Sequence, residues 1–113
     1  MNLSEYQTAA HRTSLGATYG EGDIARLIYP TLKLAGEAGE FAEKVGKLIR
    51  DKDGRVSEED RDALRDELGD VLWYVAEVAT VLDLDLDAVG RRNIEKLASR
   101  AERGVIQGSG DKR

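Results

Sequence analysis

Apolar residues fall into two long stripes along this chain. In residues 30–50, Leu34, Ala38, Phe41, Val45 and Leu48 recur at alternating steps of four and three, the spacing of one face of an α-helix. Leu64, Leu68, Val71, Val75, Val78 and Leu82 repeat the pattern further on. The first stripe predicts a helix starting near Pro30, a residue tolerated in a first turn because its missing N–H would have no partner there. It ends at the turn Asp51-Lys52-Asp53-Gly54, which lacks the other ligands of a calcium loop. The second helix opens at Ser57, with Asp60 three residues later as a near capping box. Between Val71 and Leu82 only Tyr74, Glu77 and Thr80 offer polarity. A helix that is apolar all round is buried on all sides, and in so small a domain that points to a second subunit.

Two shorter helices flank this pair. One is expected over Ser4–Leu15, with Ser4 as N-cap and Gly16 as its stop. Gly16–Asp23 reads as a loop, and Ile24–Tyr29 as a helical turn or a connector. Asp85 or Asp87 caps a last helix over Ala88–Arg103. The tail Gly104–Arg113 holds three glycines and a serine and cannot be regular structure. By pattern such a segment is disordered, although Gly-rich backbone with Lys and Arg can also form an anion nest. The expected architecture is all-α: a four-helix bundle in one domain spanning 1–113.

Composition narrows the chemistry. The 113 residues contain no Cys and a single His, His11, which excludes thiolate sites and histidine-rich metal centres within one chain. A net charge of −5 argues against a nucleic-acid polymer, whose backbone demands clustered cations, while a free nucleotide escorted by a divalent cation remains compatible. No stretch approaches the roughly 20 apolar residues of a membrane span, and no signal-like run opens the chain; a cytoplasmic location is expected.

Four carboxylates carry the strongest signal. Glu37 and Glu40 sit in Leu34–Phe41, Glu67 and Asp70 in Leu64–Val71, and a shift of thirty residues superposes the two stretches. Carboxylates three apart on a helix are neighbours, with Cβ atoms roughly 5–6 Å apart. Solvated surface charge is the ordinary explanation for helical acids. Against it, Glu37 and Glu67 both flank the apolar stripe, and neither has Lys or Arg four residues downstream. Gly39 and Gly69 also precede the second acid of each pair. Each costs about 1 kcal/mol relative to Ala, which implies a need for space. Packed together, the four acids need protons or a cation, and all-oxygen ligation suits Mg²⁺ or Mn²⁺. Di-iron chemistry is disfavoured, because its Glu-x-x-His motifs are missing. Glu43 is either a fifth acid of the cluster or a solvated partner for Lys47.

Asn93, Lys96 and Arg100 line one face of the last helix. Alone they would be a solvated face; beside an acidic helix pair they supply donors for polyphosphate oxygens. Trp73 and Tyr74 lie within a turn of Asp70. Trp73 is a core or interface residue in the commoner case, and a platform for a nucleobase in the sharper one.

The pattern Glu37-Ala38-Gly39-Glu40, then Glu67-Leu68-Gly69-Asp70, resembles the E-x-x-E…E-x-x-D signature of the MazG-like all-α nucleoside triphosphate pyrophosphohydrolases. Asn93–Leu97 with Arg100, the opening Glu5–Thr13 and the tail Gly104–Arg113 are similar to a bacterial and phage subgroup of that family. Some relatives carry an extra Glu before the first motif; here that position is Gly36. The resemblance implies Mg²⁺-dependent hydrolysis of a nucleoside triphosphate, deoxy or non-standard, to the monophosphate and pyrophosphate. It further implies that Glu37, Glu40, Glu67 and Asp70 hold the metal and act in catalysis, and that Asn93, Lys96 and Arg100 meet the phosphates; for the tail it leaves both disorder and closure over substrate open. A homodimer or dimer of dimers is expected. A phosphoribosyl-ATP pyrophosphatase, or a non-catalytic helical interaction module with a structural acidic seam, are the alternatives.

Overall fold

The computed structural model describes all 113 residues and contains four α-helices, one 3-10 turn and no strand. Helix α1 spans Leu3–His11, the 3-10 turn Asp23–Arg26, α2 Ile28–Lys52, α3 Glu58–Val81 and α4 Leu86–Glu102. The first helix starts earlier than Ser4 because Asn2 caps it. The Asn2 side chain accepts from Glu5 N–H at 2.8 Å, and Glu5 returns a bond to Asn2 N–H at 3.2 Å. It also stops at His11 rather than Leu15. Ser57 and Asp60 form the expected reciprocal box at the start of α3. Asp85 precedes α4, its carboxylate accepting from the Ser4 hydroxyl, which ties that helix start to α1.

Helices α2 and α3 form a long antiparallel hairpin. Asp53 and Gly54 close α2 in the left-handed conformation, with φ of 52° and 76°, and Gly54 N–H donates to Leu48 O at 3.0 Å. That arrangement satisfies an end-of-helix carbonyl. Pro30 lies in the first turn of α2, buried, where no intrahelical N–H is lost.

Packing is uneven. The buried apolar residues are Ala10, Ala76, Ala79 and Leu86, with Tyr6, Trp73 and Val75 against them. This core lies where α1, the C-terminal half of α3 and the start of α4 meet. Gln7 clamps the junction: its Nε2 donates to Thr80 Oγ1 at 3.1 Å and Leu84 O at 2.8 Å, and its Oε1 accepts from Leu86 N–H at 2.8 Å. Elsewhere the hairpin and α4 leave Leu32, Ile49, Leu68, Leu72, Ile94 and Leu97 exposed. Only 7 of 113 residues are buried. The radius of gyration is 17.1 Å, against about 13 Å for a compact domain of this length. Within one chain, therefore, the apolar stretch Val71–Leu82 is covered only in part. The open space beside Gly39 and Gly69, where an added Cβ would meet nothing within 4 Å, is not taken up by backbone from the same chain. No helix is long and apolar enough to cross a membrane.

Candidate metal centre

The hairpin brings the two acidic motifs face to face. One oxygen each from Glu37, Glu67 and Asp70 lie within 4.8 Å of one another. Glu37 projects from α2, and Glu67 and Asp70 from α3, so the cluster exists only because the helices pack in this rotation. Glu40 stands outside that triangle but beside it. Burial, then Glu40 and then Asp70 push the Glu37 carboxyl above its ordinary range.

Glu37 and Glu67, equivalent under the thirty-residue shift, have matching surroundings. Glu37 Oε1 lies 3.9 Å from Lys33 Nζ, and Glu67 Oε1 lies 3.6 Å from Lys44 Nζ. In both, the second oxygen is buried and has no hydrogen-bond partner. A carboxylate oxygen out of water and without a donor is destabilising by several-fold more than an ordinary surface charge. Two such oxygens beside Asp70 fit a hard divalent cation, which takes oxygen ligands at about 2.0–2.6 Å. The donor set thus suits Mg²⁺ or Mn²⁺. The lysines lie four residues upstream of Glu37 and across the hairpin from Glu67, so the absence of a downstream cation did not mean the absence of a cation. Glu43 instead pairs with Lys47 at 3.5 Å, well exposed.

Beside the carboxylates opens a cavity of about 260 Å³, lined by His11, Arg26, Tyr29, Trp73, Tyr74 and Glu77 among others. Tyr74 links the two: burial, Tyr29, Glu37 and Asp70 all raise its hydroxyl pKa. Its ring meets Trp73 edge-on at 4.8 Å, and Lys33 Nζ sits 5.9 Å above it. Trp73 is held by packing on the alanine core and by donating from Nε1 to Thr13 Oγ1 at 2.9 Å, so it serves the core and the cavity wall together. At the far wall, the buried Glu77 carboxylate lies 3.0 Å from His11 Nδ1. Sequence reasoning found neither this pair nor Gln7. His11 and Glu77 are 66 residues apart, and no periodicity joins them. The one available signal was an acid, Glu77, on an otherwise apolar helix.

The donors of α4 are placed elsewhere. Asn93 and Lys96 line an open groove with Leu84, Val89 and Arg92. Lys96 Nζ pairs with Asp111 at 3.1 Å. Arg100 is buried, and its Nη2 donates to Asp111 O at 2.7 Å. Neither side chain forms an ion pair with the carboxylate cluster of its own chain.

Two comparisons with known proteins give relatives of this chain. The MazG nucleotide pyrophosphohydrolase domain matches residues 30–105, which include both acidic motifs and α4. The chain is 54% identical over 114 residues to the Gene 37 protein of Mycobacterium phage L5, the match covering 100% of each. No solved structure matches. An all-helical chain whose paired acidic motifs converge across a hairpin, and whose residues 30–105 match this domain, belongs to the MazG nucleotide pyrophosphohydrolase family.

Proposed function

We propose that this protein hydrolyses nucleoside triphosphates, deoxy or non-standard ones in particular, to the monophosphate and pyrophosphate, using Mg²⁺ held by Glu37, Glu67 and Asp70 with Glu40 beside them. The observation that carries this reading is the pair of buried, unpartnered oxygens on Glu37 and Glu67, converging with Asp70. When bound, the metal offsets phosphate charge and makes water a better nucleophile near neutral pH. The chain supplies the rest. A carboxylate of the cluster or beside it accepts the proton of the attacking water. Lys33 and Lys44 lie within ion-pair distance of Oε1 of Glu37 and Glu67, and the other oxygen of each acid has no partner.

The cavity supports a nucleobase site. At about 260 Å³ it lies below the roughly 300–1,000 Å³ of pockets that enclose a whole drug-sized ligand. Trp73, Tyr74 and Tyr29 provide flat apolar walls for a base, while Tyr74 places that base next to the carboxylates. Asn93, Lys96 and Arg100 are assigned to the phosphate end.

A homodimer or dimer of dimers completes both fold and site. A second copy would cover Leu68, Leu72, Ile94 and Leu97, and close the four-helix bundle that one chain leaves open. It would also bring an α4 face to the acidic cluster. Pyrophosphate release from a panel of common, oxidised and phosphoribosyl nucleotides, with and without Mg²⁺, tests the activity. Absence of Mg²⁺-dependent release from every substrate overturns it. Mixing inactive Glu67→Gln chains with inactive Lys96→Ala chains tests the assembly: recovered activity supports sites shared between copies. A monomer by light scattering at micromolar concentration refutes them.

A further inference from the structure

Glu77 is the one buried polar side chain on the cavity wall, with 7% of that side chain exposed. Its Oε1 lies 3.0 Å from His11 Nδ1. A carboxylate accepts and does not donate, so the ring proton of this contact is on Nδ1. Oε2 has no hydrogen-bond partner in the chain, but unlike the orphaned oxygens of Glu37 and Glu67 it is not closed off. The space beside it is the cavity that Glu77 lines. An acceptor so far withdrawn from water is destabilising until a donor reaches it. The hydroxyls nearby are already engaged. Thr13 Oγ1 accepts from Trp73 Nε1 at 2.9 Å and donates to Ala10 O at 2.7 Å. Ser14 Oγ accepts from Gly16 N–H at 3.2 Å. Glu77 is thus the strongest acceptor these walls offer.

Its place along α3 gives that acceptor a meaning. Asp70, Tyr74 and Glu77 follow one another at steps of four and three, so they share one face of the helix. Glu77 stands roughly 10 Å along the axis from Asp70. The face therefore runs from the carboxylate cluster, past Tyr74, to the far wall beside His11. A nucleotide has the same order: phosphates, sugar, then a base whose exocyclic edge is furthest from the phosphates. With phosphates at the cluster and the base between Tyr29, Trp73 and Tyr74, that edge arrives at Glu77. Bases differ there. Cytosine and adenine carry an amine, whereas uracil, thymine, guanine and hypoxanthine carry a carbonyl. An oxygen that only accepts takes an N–H and is left unpaired, against a repelling lone pair, by a carbonyl.

We propose that Glu77, positioned by His11, selects nucleotides whose base carries an exocyclic amine at that distal edge, and rejects bases with a carbonyl in its place. This deepens the nucleoside triphosphate reading above and rests on it for the sugar and phosphates. The amine donates to Oε2 while Oε1 stays on His11 Nδ1. A hydrogen bond to a charged group discriminates by roughly 10- to 150-fold. Deaminated nucleotides, with uracil or hypoxanthine, are therefore poor substrates.

The test compares kcat/KM of the intact protein within two pairs that exchange amine for carbonyl, dCTP with dUTP and dATP with dITP. In the pair that is hydrolysed faster, the amine form should win by at least tenfold. A smaller ratio overturns the proposal and leaves Oε2 to water. Glu77→Gln should erase or invert the preference. His11 Nδ1–H holds the amide oxygen, which turns the amide NH2 toward the cavity, where it donates to a carbonyl. A tenfold preference for the amine that survives this substitution overturns the assignment to Glu77. Adding His11→Ala frees the amide to rotate and should bring the ratio closer to one; an unchanged ratio removes His11 as the positioning residue. Trp73, the only tryptophan, reports binding apart from catalysis, through fluorescence titrations with dCMP and dUMP. Tighter binding of dCMP without hydrolysis of any triphosphate keeps the base selection and removes the enzyme. Hydrolysis of both members of each pair at equal rates keeps the enzyme and removes the selection.

Discussion

The two halves of α3 show how one helix can serve opposite ends. Its C-terminal half is packed: Ala76 and Ala79 are buried, Trp73 is hydrogen-bonded to Thr13, and even the acid Glu77 has His11 as partner. Its N-terminal half is not. Leu68 is half exposed, Glu67 keeps an orphaned buried oxygen, and Asp70 crowds Glu37 from the facing helix. Polar groups satisfied by the protein stabilise the fold, whereas those left unsatisfied are destabilising until something binds. The difference between the halves separates the part of α3 that holds the molecule together from the part that leaves a buried carboxylate oxygen without a partner.

Substitutions can break that contrast, beginning with the largest effect. Asp70→Asn or Glu67→Gln should lower Mg²⁺-dependent pyrophosphate release by roughly 100-fold or more, beyond the 10–100-fold typical of losing a metal site's outer support. Far-UV circular dichroism should stay the same, and full activity in either variant would separate the cluster from catalysis. Ala76→Leu should do the reverse. Overpacking a fully buried alanine should destabilise by about 1–3 kcal/mol in urea denaturation, with Mn²⁺ affinity retained.

Glu37→Gln sharpens the comparison through pH. The folded carboxyl is raised above its ordinary 4.5, so the folded state holds the proton more tightly than the unfolded one. The contribution of Glu37 to metal-free stability should therefore be greatest below that ordinary value and be lost as pH climbs through the raised one. The glutamine variant should lose that decline and melt higher than wild type at neutral pH without metal; a lower melting temperature would contradict the crowding of anions. The smallest effect is expected at Asp60, in the capping box of α3. Lys52 and Ser57 depress its carboxyl from 3.8 to about 2. Its contribution should be complete above the ordinary value and vanish as pH falls toward about 2, an acid limb that Asp60→Asn should remove from a melting-temperature profile.

Much of the fold was legible because it depends on neighbours in sequence. The Ser57–Asp60 box and the two apolar stripes are local patterns, and α2 and α3 follow them closely. The Asn2–Glu5 box is equally local and competes with Ser4 as the cap; the Ser4 hydroxyl serves Asp85 instead. The Ile24–Tyr29 stretch was ambiguous because a four-residue 3-10 turn is too short to show a period. The tail's composition suggested disorder, and the arginines that order it do so through carbonyl contacts that composition does not register.

Sequence alone determined that four acids share two equivalent helical registers, since the α-helical period sets which residues are neighbours within a turn. Tertiary structure decided which oxygens meet: Glu37, Glu67 and Asp70 in one triangle, Glu40 at its edge, Lys44 reaching across the hairpin, and the cavity enclosed by α1, the loop after it, the start of α2 and α3. Those choices depend on the rotation and depth at which two helices pack, and that is set by the sum of distant side-chain contacts rather than by any residue's own conformational preference.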